Sequence, residues 1–361
     1  MQGYLLFPTG QSLSGTLIGA KAPQLGELVF NTSMTGYQEI LTDPSYHRQI
    51  VVLTYPEIGN YGCHLEVNES TLGHAAGMVF RNLSPGSFHN RYHQTFDPFL
   101  AEIGVTAITG LDTRRLTQTI RDEGPRNVLI APQSLPLEEA KVRLAAAEPM
   151  EGANLVPQVS TTEKVVHGEG DHHIVLLDLG IKLATIRALQ KRGCRVTQVP
   201  WNTDLAAVEA LKPDGILISN GPGDPAAVPG VRGTIAALMD RYPVMGICLG
   251  FQLMALSLGG RTYKLPFGHR GGNHPVKFEG RVVITSQNHG FAVHEDSLDL
   301  KRVEITHHSL FDGSLEGFRL RDKPVFGVQF HPEAAPGPND CLDHFDYFLQ
   351  QVANHKGDRH A

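Results

Sequence analysis

Short apolar runs separated by Gly, Pro, Asn and Asp dominate the first 130 or so positions of the chain. Residues 27–30, 50–53, 77–80, 105–108 and 127–130 are apolar stretches closed by turn residues, and each predicts a strand. Helical spacing is rarer. It begins after Asp112, whose carboxylate can cap a helix with Leu116 and Ile120 on one face, and again over 137–147. The stretch 151–172 is polar, carries Gly, Pro, Ser and Thr, and has little periodicity, which predicts a linker. From 173 the pattern becomes strand, helix, strand. An apolar run over 173–178 precedes an amphipathic segment, 182–192, stopped by Gly193; then come 196–199, a helix opening near Thr203, and the apolar run 215–218. The expected organisation is a β-rich α+β domain over 1–150, a linker over 151–172, and an α/β domain over 173–350 whose mostly parallel sheet is flanked by helices. Residues 351–361 are expected to form a tail.

Composition narrows the class. The 361 residues suffice for two domains at roughly 100–200 residues each. The net charge of −6 is spread over both signs without a Lys/Arg block, which argues against nucleic acid or an anionic membrane as partner. No run approaches the ~20 apolar residues of a membrane span, and the first residues lack the basic flank and apolar length of a signal peptide. Cys63, Cys194, Cys248 and Cys341 form no CxxC pair, so reduced thiols are expected rather than a disulfide frame or a zinc site. A soluble cytoplasmic protein fits these features.

The sharpest chemical signal is Pro243-Val-Met-Gly-Ile-Cys248-Leu-Gly-Phe-Gln252. A strand runs straight into a helix with Cys248 at the junction and Gly246 and Gly250 around it, the thiol form of a nucleophile elbow. The helix opening at Leu249 would aim free N–H groups at the sulfur, favouring thiolate and offering an oxyanion site. Read alone, the motif also fits a buried cysteine packed between glycines. A thiolate attacking an amide needs a proton donor for the leaving nitrogen, and His331-Pro-Glu333 follows the apolar run 325–330. His331 would serve as base and then acid, with Glu333 orienting the ring. Among 18 histidines a lone His is more often structural, but its place at a strand end beside a carboxylate favours the catalytic reading. A third element, Ser219-Asn-Gly221-Pro-Gly223-Asp-Pro225, again follows an apolar run; its bare N–H groups suit a substrate carbonyl, although on its own an ordinary turn is the better reading. Without a P-loop lysine it does not suit phosphate.

Together, and in this order, the three elements resemble the class I triad-type glutamine amidotransferases over about 173–350. The resemblance implies Cys248 as the nucleophile that forms a γ-glutamyl thioester, His331 as acid/base and Glu333 as its partner. It places Gly221, Gly223, Leu249 and Gln252 at glutamine-contacting positions; Phe251 stands where many relatives have histidine. Ser286-Gln-Asn288-His-Gly290-Phe291 resembles the carbamoyl-phosphate synthase branch, in which Asn288, Gly290 and Phe291 match glutamine-binding positions. Phe267-Gly-His269-Arg-Gly-Gly-Asn-His274-Pro-Val276 resembles the same branch but brings no role with it; its two histidines, separated by Gly and Asn, make a poor metal-ligand set, and no metal is expected.

The amino-terminal half extends the resemblance. Asn31-Thr-Ser-Met-Thr-Gly-Tyr37 through Asp43-Pro-Ser45, Thr54-Tyr-Pro-Glu-Ile-Gly-Asn-Tyr61 and Leu111-Asp-Thr-Arg-Arg-Leu-Thr117 resemble the domain peculiar to carbamoyl-phosphate synthase small subunits. In that family the serine matching Ser45 reaches the glutamine site, near the domain interface. The implied reaction is hydrolysis of L-glutamine to glutamate and ammonia, with ammonia passed to a large subunit in a heterodimer or higher oligomer. That subunit would use ATP, Mg and bicarbonate for arginine or pyrimidine biosynthesis, and no cofactor is expected on this chain. Rival readings are an amidotransferase component of another synthase, such as that of anthranilate or GMP synthesis, a free-standing γ-glutamyl thiol hydrolase, and a non-catalytic scaffold. The first 150 residues weigh against the first rival, and the intact Cys248, His331 and Glu333 set against the last.

Overall fold

The computed structural model describes residues 1–90 and 92–360, which fall into two compact units, Met1–Met150 and Glu151–Ala361. In the first unit the apolar runs become strands of a closed barrel. Its strands are β1 (Gln2–Leu6), β2 (Ser12–Gly19), β3 (Gln24–Asn31), β4 (Gln49–Leu53), β5 (Gly77–Phe80), β6 (Thr106–Thr109) and β7 (Arg126–Pro132). Around the barrel the order is β1-β2-β6-β5-β4-β3-β7, with β7 returning to β1. Strands β3 to β6 pair in parallel, and the remaining pairs are antiparallel. Both β4 and β5 are buried along their whole length, which explains their continuous apolar sequences.

Parallel neighbours need long crossovers, and helices ride on them. Here α1 (Tyr37–Thr42) and α2 (Phe96–Glu102) put Tyr37, Ile40 and Phe96 into one core with Val51 and Phe80. The helix expected after Asp112 is α3 (Thr113–Glu123). Asp112 accepts from the Arg115 N–H at 3.0 Å, and Leu116 and Ile120 are buried. Then α4 (Leu137–Ala145) packs Ala140 and Leu144 against Tyr4, Leu6 and Leu129.

The second unit is built on one ten-stranded sheet. In chain order its strands are β8 (Val165–His167), β9 (His172–Asp178), β10 (Cys194–Pro200), β11 (Gly215–Ile218), β12 (Val244–Ile247), β13 (Thr262–Phe278), β14 (Arg281–Val293), β15 (Val303–Ser309), β16 (Leu315–Leu320) and β17 (Val325–Val328). Across the sheet the order is β8-β10-β9-β11-β12-β17-β16-β15-β13-β14. The block from β10 to β17 is parallel, as the strand–helix alternation predicts. Beyond β17 the sheet turns antiparallel through β16, β15 and the long β13–β14 hairpin, so the whole is mixed. Helices α5 (Leu183–Gln190), α6 (Leu205–Ala210), α7 (Arg232–Arg241), α8 (Leu249–Ser257) and α9 (Asp343–His360) accompany it. One core holds Ile235, Leu238 and Phe251 from α7 and α8, another Ile186, Leu189, Phe345 and Phe348 from α5 and α9. The helix expected near Thr203 is capped by Asp204, which accepts from the Ala207 N–H at 2.8 Å.

Two stretches differ from their sequence expectation. Residues 151–172 are ordered within the second unit. Asp224 accepts from the Gly152 N–H at 2.8 Å, the Thr161 N–H reaches Asp178 at 2.7 Å, and β8 pairs with β10. Side-chain and backbone hydrogen bonds, which hydropathy does not register, hold this polar segment down. Residues 351–360 continue α9, with Val352 buried against the sheet; Ala361 lies outside the described residues.

Candidate active site

Four loops at the carboxyl ends of the parallel strands carry most of the chemistry, the expected place in an open α/β sheet. They follow β9, β11, β12 and β17 and hold Lys182, Ser219 to Asp224, Cys248, and Gln329 to Glu333 respectively.

Cys248 joins β12 directly to α8 with φ 52° and ψ −104°, a conformation that L residues avoid. The glycines on either side are there for space. A Cβ on Gly246 would fall 2.3 Å from the Met254 sulfur, and one on Gly250 2.2 Å from the Ile218 carbonyl oxygen. The elbow is tied to both neighbouring strands. The Cys248 N–H donates to Val328 C=O at 2.9 Å, and the Gly250 N–H to Ser219 C=O at 3.0 Å. The Leu249 N–H then stands as the first amide of α8, at the positive end of the helix and next to the sulfur. Gly221 abuts this helix start: a Cβ there would meet the Leu249 side chain at 2.9 Å and Leu179 O at 2.1 Å. Gly223, at φ 94°, sits against Ala153.

His331 follows β17. Its Nδ1 lies 2.8 Å from Glu333 Oε1, and its backbone N–H donates to Ser286 C=O at 2.9 Å. The carboxylate fixes the proton on Nδ1 and turns Nε2 inward; Nε2 is buried without a hydrogen-bond partner among the described residues. Burial disfavours the charged ring, but the Glu333 carboxylate outweighs it and holds the His331 pKa up at about 10, with the Cys248 sulfur acting in the same direction. Burial likewise penalises the Glu333 carboxylate, yet Lys182 and then His331 bring it down to about 2. Lys182 places its Nζ 3.1 Å from Glu333 Oε1 and also donates to Ala334 C=O. The result is a buried row of sulfur, imidazole, carboxylate and ammonium.

Of the other substrate candidates of this unit, Asn288 lies against the sulfur. Cys248 Sγ is 3.7 Å from the Asn288 carbonyl oxygen. Asn288 is buried, and both polar atoms of its side chain lack a partner among the described residues. Gln252 Nε2 donates to Phe291 C=O at 2.7 Å and to Gln329 Oε1 at 2.9 Å, which binds α8 to the segment carrying Gly290 and Phe291. Ser45 lies in the first unit, in the 3-10 turn Pro44–Tyr46, where its N–H donates to Asp43 at 2.8 Å.

Two residues of this cluster were not anticipated. Gln329 Nε2 sits 3.7 Å from Cys248 Sγ, and Lys182 holds Glu333. The strand-end rule was the available signal, since Lys182 follows β9 just as Cys248 follows β12. What this arrangement can do chemically is thiol nucleophilic catalysis with acid–base assistance.

Comparison with known proteins agrees with the geometry. Residues 175–350 match the model of the class-I glutamine amidotransferases, and residues 5–130 that of the carbamoyl-phosphate synthase small chain, CPSase domain. The chain is 45% identical to the carbamoyl phosphate synthase small chain of Methanopyrus kandleri, over 98% of this chain and 100% of that one. It is 44% identical to the small chain of Salmonella typhimurium and 42% to that of Parasynechococcus marenigrum, each over 98% of this chain and 97% of the relative. Two domain matches and relatives aligned from end to end lead to one conclusion: this chain belongs to the carbamoyl phosphate synthase small-chain family, the glutamine-hydrolysing chain of that synthase.

Proposed function

We propose that Cys248 hydrolyses L-glutamine with His331 and Glu333 and delivers the ammonia to a large chain that makes carbamoyl phosphate. The observation that carries this reading is the buried row Cys248, His331, Glu333 at adjacent strand ends, with the Leu249 N–H beside the sulfur. The thiolate attacks the side-chain amide carbon, and the oxyanion forms against the Leu249 and Gly223 N–H groups. His331 gives its proton to the departing nitrogen; ammonia leaves and a γ-glutamyl thioester remains. His331 then takes a proton from water, which cleaves the thioester to glutamate and restores the sulfur. Glu333 keeps the ring in the productive tautomer. Gly221, Gln252, Asn288, Gly290 and Phe291 hold the glutamine, with Asn288 contributing its unpartnered amide; Ser45 carries the same assignment from family resemblance.

ATP, Mg and bicarbonate chemistry belongs to the large chain, and ammonia passes to it without entering bulk water. The product serves arginine or pyrimidine synthesis, or both, in the cytoplasm. The test combines this chain with a large chain and replaces Cys248→Ser. Glutamine-dependent carbamoyl phosphate synthesis should vanish while ammonia-dependent synthesis persists. Retained use of glutamine would remove Cys248 from the mechanism.

A further inference from the structure

Away from the triad, the antiparallel half of the second unit brings His269 on β13, Gln287 and His289 on β14, and Glu316 on β16 together, all buried. His269 and His289 are direct partners in the β13–β14 register. Proton positions follow from their fixed neighbours. His289 Nδ1 is 2.8 Å from the Phe291 carbonyl oxygen, which can only accept, so a neutral ring turns the Nε2 lone pair inward. His269 Nε2 is 2.9 Å from Asp312 Oδ2, which places that proton outward and the Nδ1 lone pair inward. The Gln287 amide is oriented too. Thr285 gives its hydroxyl hydrogen to His274 C=O at 2.9 Å and therefore accepts from Gln287 Nε2 at 3.1 Å. The same nitrogen donates to Glu316 Oε2 at 3.0 Å.

Gln287 Oε1 consequently faces both rings, 2.8 Å from His289 Nε2 and 3.2 Å from His269 Nδ1. Glu316 Oε1, which makes no hydrogen bond among the described residues, lies 3.5 Å from His269 Nδ1 and 3.9 Å from His289 Nε2. Four lone-pair donors converge with no hydrogen between them while the rings are neutral. A metal ion resolves the conflict. Ligand atoms about 2.0–2.2 Å from a tetrahedral zinc lie roughly 3.3–3.6 Å from one another, and the spacings here straddle that value. The histidine and glutamate donor atoms all fall within 4.8 Å of one another.

We infer that His269 Nδ1, His289 Nε2 and Glu316 Oε1 bind a divalent transition-metal ion, zinc by ligand preference, with Gln287 Oε1 as the fourth donor. Asp312 and the Phe291 carbonyl hold the outer ring nitrogens, as the outer partners of metal-ligating histidines do. The Glu316 and Asp312 carboxylates balance a double positive charge. With four protein donors the site is closed and structural. It staples β13 and β14 to β16 beside Asn288 and Phe291. His274, the partner suggested by sequence proximity, is not a donor; the ligands come from three different strands.

The test uses tag-free full chain loaded with zinc, dialysed against metal-free buffer and analysed for metal by mass spectrometry. Wild type and Cys248→Ser should each retain ~1 zinc per chain, whereas His269→Gln and Glu316→Gln should lose it while keeping a wild-type circular dichroism spectrum. Cobalt in place of zinc should give visible d–d bands without a sulfur charge-transfer band. Zinc should raise the thermal midpoint of wild type but not of Glu316→Gln. Wild type retaining no zinc would overturn the site, and so would equal retention by Glu316→Gln and His269→Gln or loss confined to Cys248→Ser.

Discussion

Cys248 holds a backbone conformation at φ 52° that costs on the order of 1–3 kcal/mol, and the elbow persists because both neighbouring strands hydrogen-bond to it. The energy goes into placing a sulfur against His331. Replacing His331→Asn removes the proposed proton donor, so glutaminase activity should fall by ~10²–10⁴-fold; ammonia-dependent synthesis in the complex should be spared. Stability should also change with a definite sign. The His331 pKa is raised from 6.5 to about 10, so its contribution is complete below 6.5 and lost as pH rises towards 10. The Glu333 pKa is lowered from 4.5 to about 2, so its contribution is present above 4.5 and lost as pH falls through about 2. The gap in urea midpoint between wild type and His331→Asn should therefore be widest between 4.5 and 6.5 and narrow up to about 10; a gap that widens with pH contradicts the pairing. Lys182→Met should push the His331 titration further up, because the ammonium lowers it in the wild type. NMR of the imidazole would measure that shift, and an unchanged value would contradict it. Cys248, His331 and Glu333 were readable in sequence because each falls within a few residues of an apolar run. Lys182 and Glu316 were not, since their partners, Glu333 and His269, are distant along the chain.

Elements with a strong local period were legible, and those defined by distant pairing were not. The fully buried β4, β5 and β11 stand out as apolar runs, and α3 announces itself through Asp112 and its Leu116, Ile120 face. The β13–β14 hairpin does not. Its register shifts between Lys264 and His269 and again between Gly271 and His274, and buried histidine and glutamine interrupt its aliphatic positions. Barrel closure was equally hidden, because pairing of β1 with β7 depends on register and not on local pattern. At the elbow, the close approach of α8 to β11 gives a direct test. Gly250→Ala would drive a Cβ to 2.2 Å from Ile218 O and 2.9 Å from Ser219 O. A loss of about 1–3 kcal/mol is expected in denaturant unfolding. A neutral result would mean that the helix start is not held against the strand.

For the whole molecule the two units divide what was legible. The second announced its chemistry through three short motifs, whereas the first carried no chemical signal of its own and was recognised only by family likeness over its turns. The match of residues 5–130 to the small-chain domain accords with that likeness. A chain whose ammonia is consumed elsewhere should hydrolyse glutamine slowly alone and faster beside an active large chain; equal rates would contradict that coupling. The expectations about activity depend on the Cys248 sulfur forming a bond to the substrate. Acid quenching during turnover of glutamine, digestion and mass spectrometry would read that bond directly. The peptide containing Cys248 should carry one γ-glutamyl group, absent from Cys248→Ser and accumulating in His331→Asn if thioester cleavage slows more than its formation. A γ-glutamyl group on another residue, or turnover by Cys248→Ser at the wild-type rate, would contradict the account.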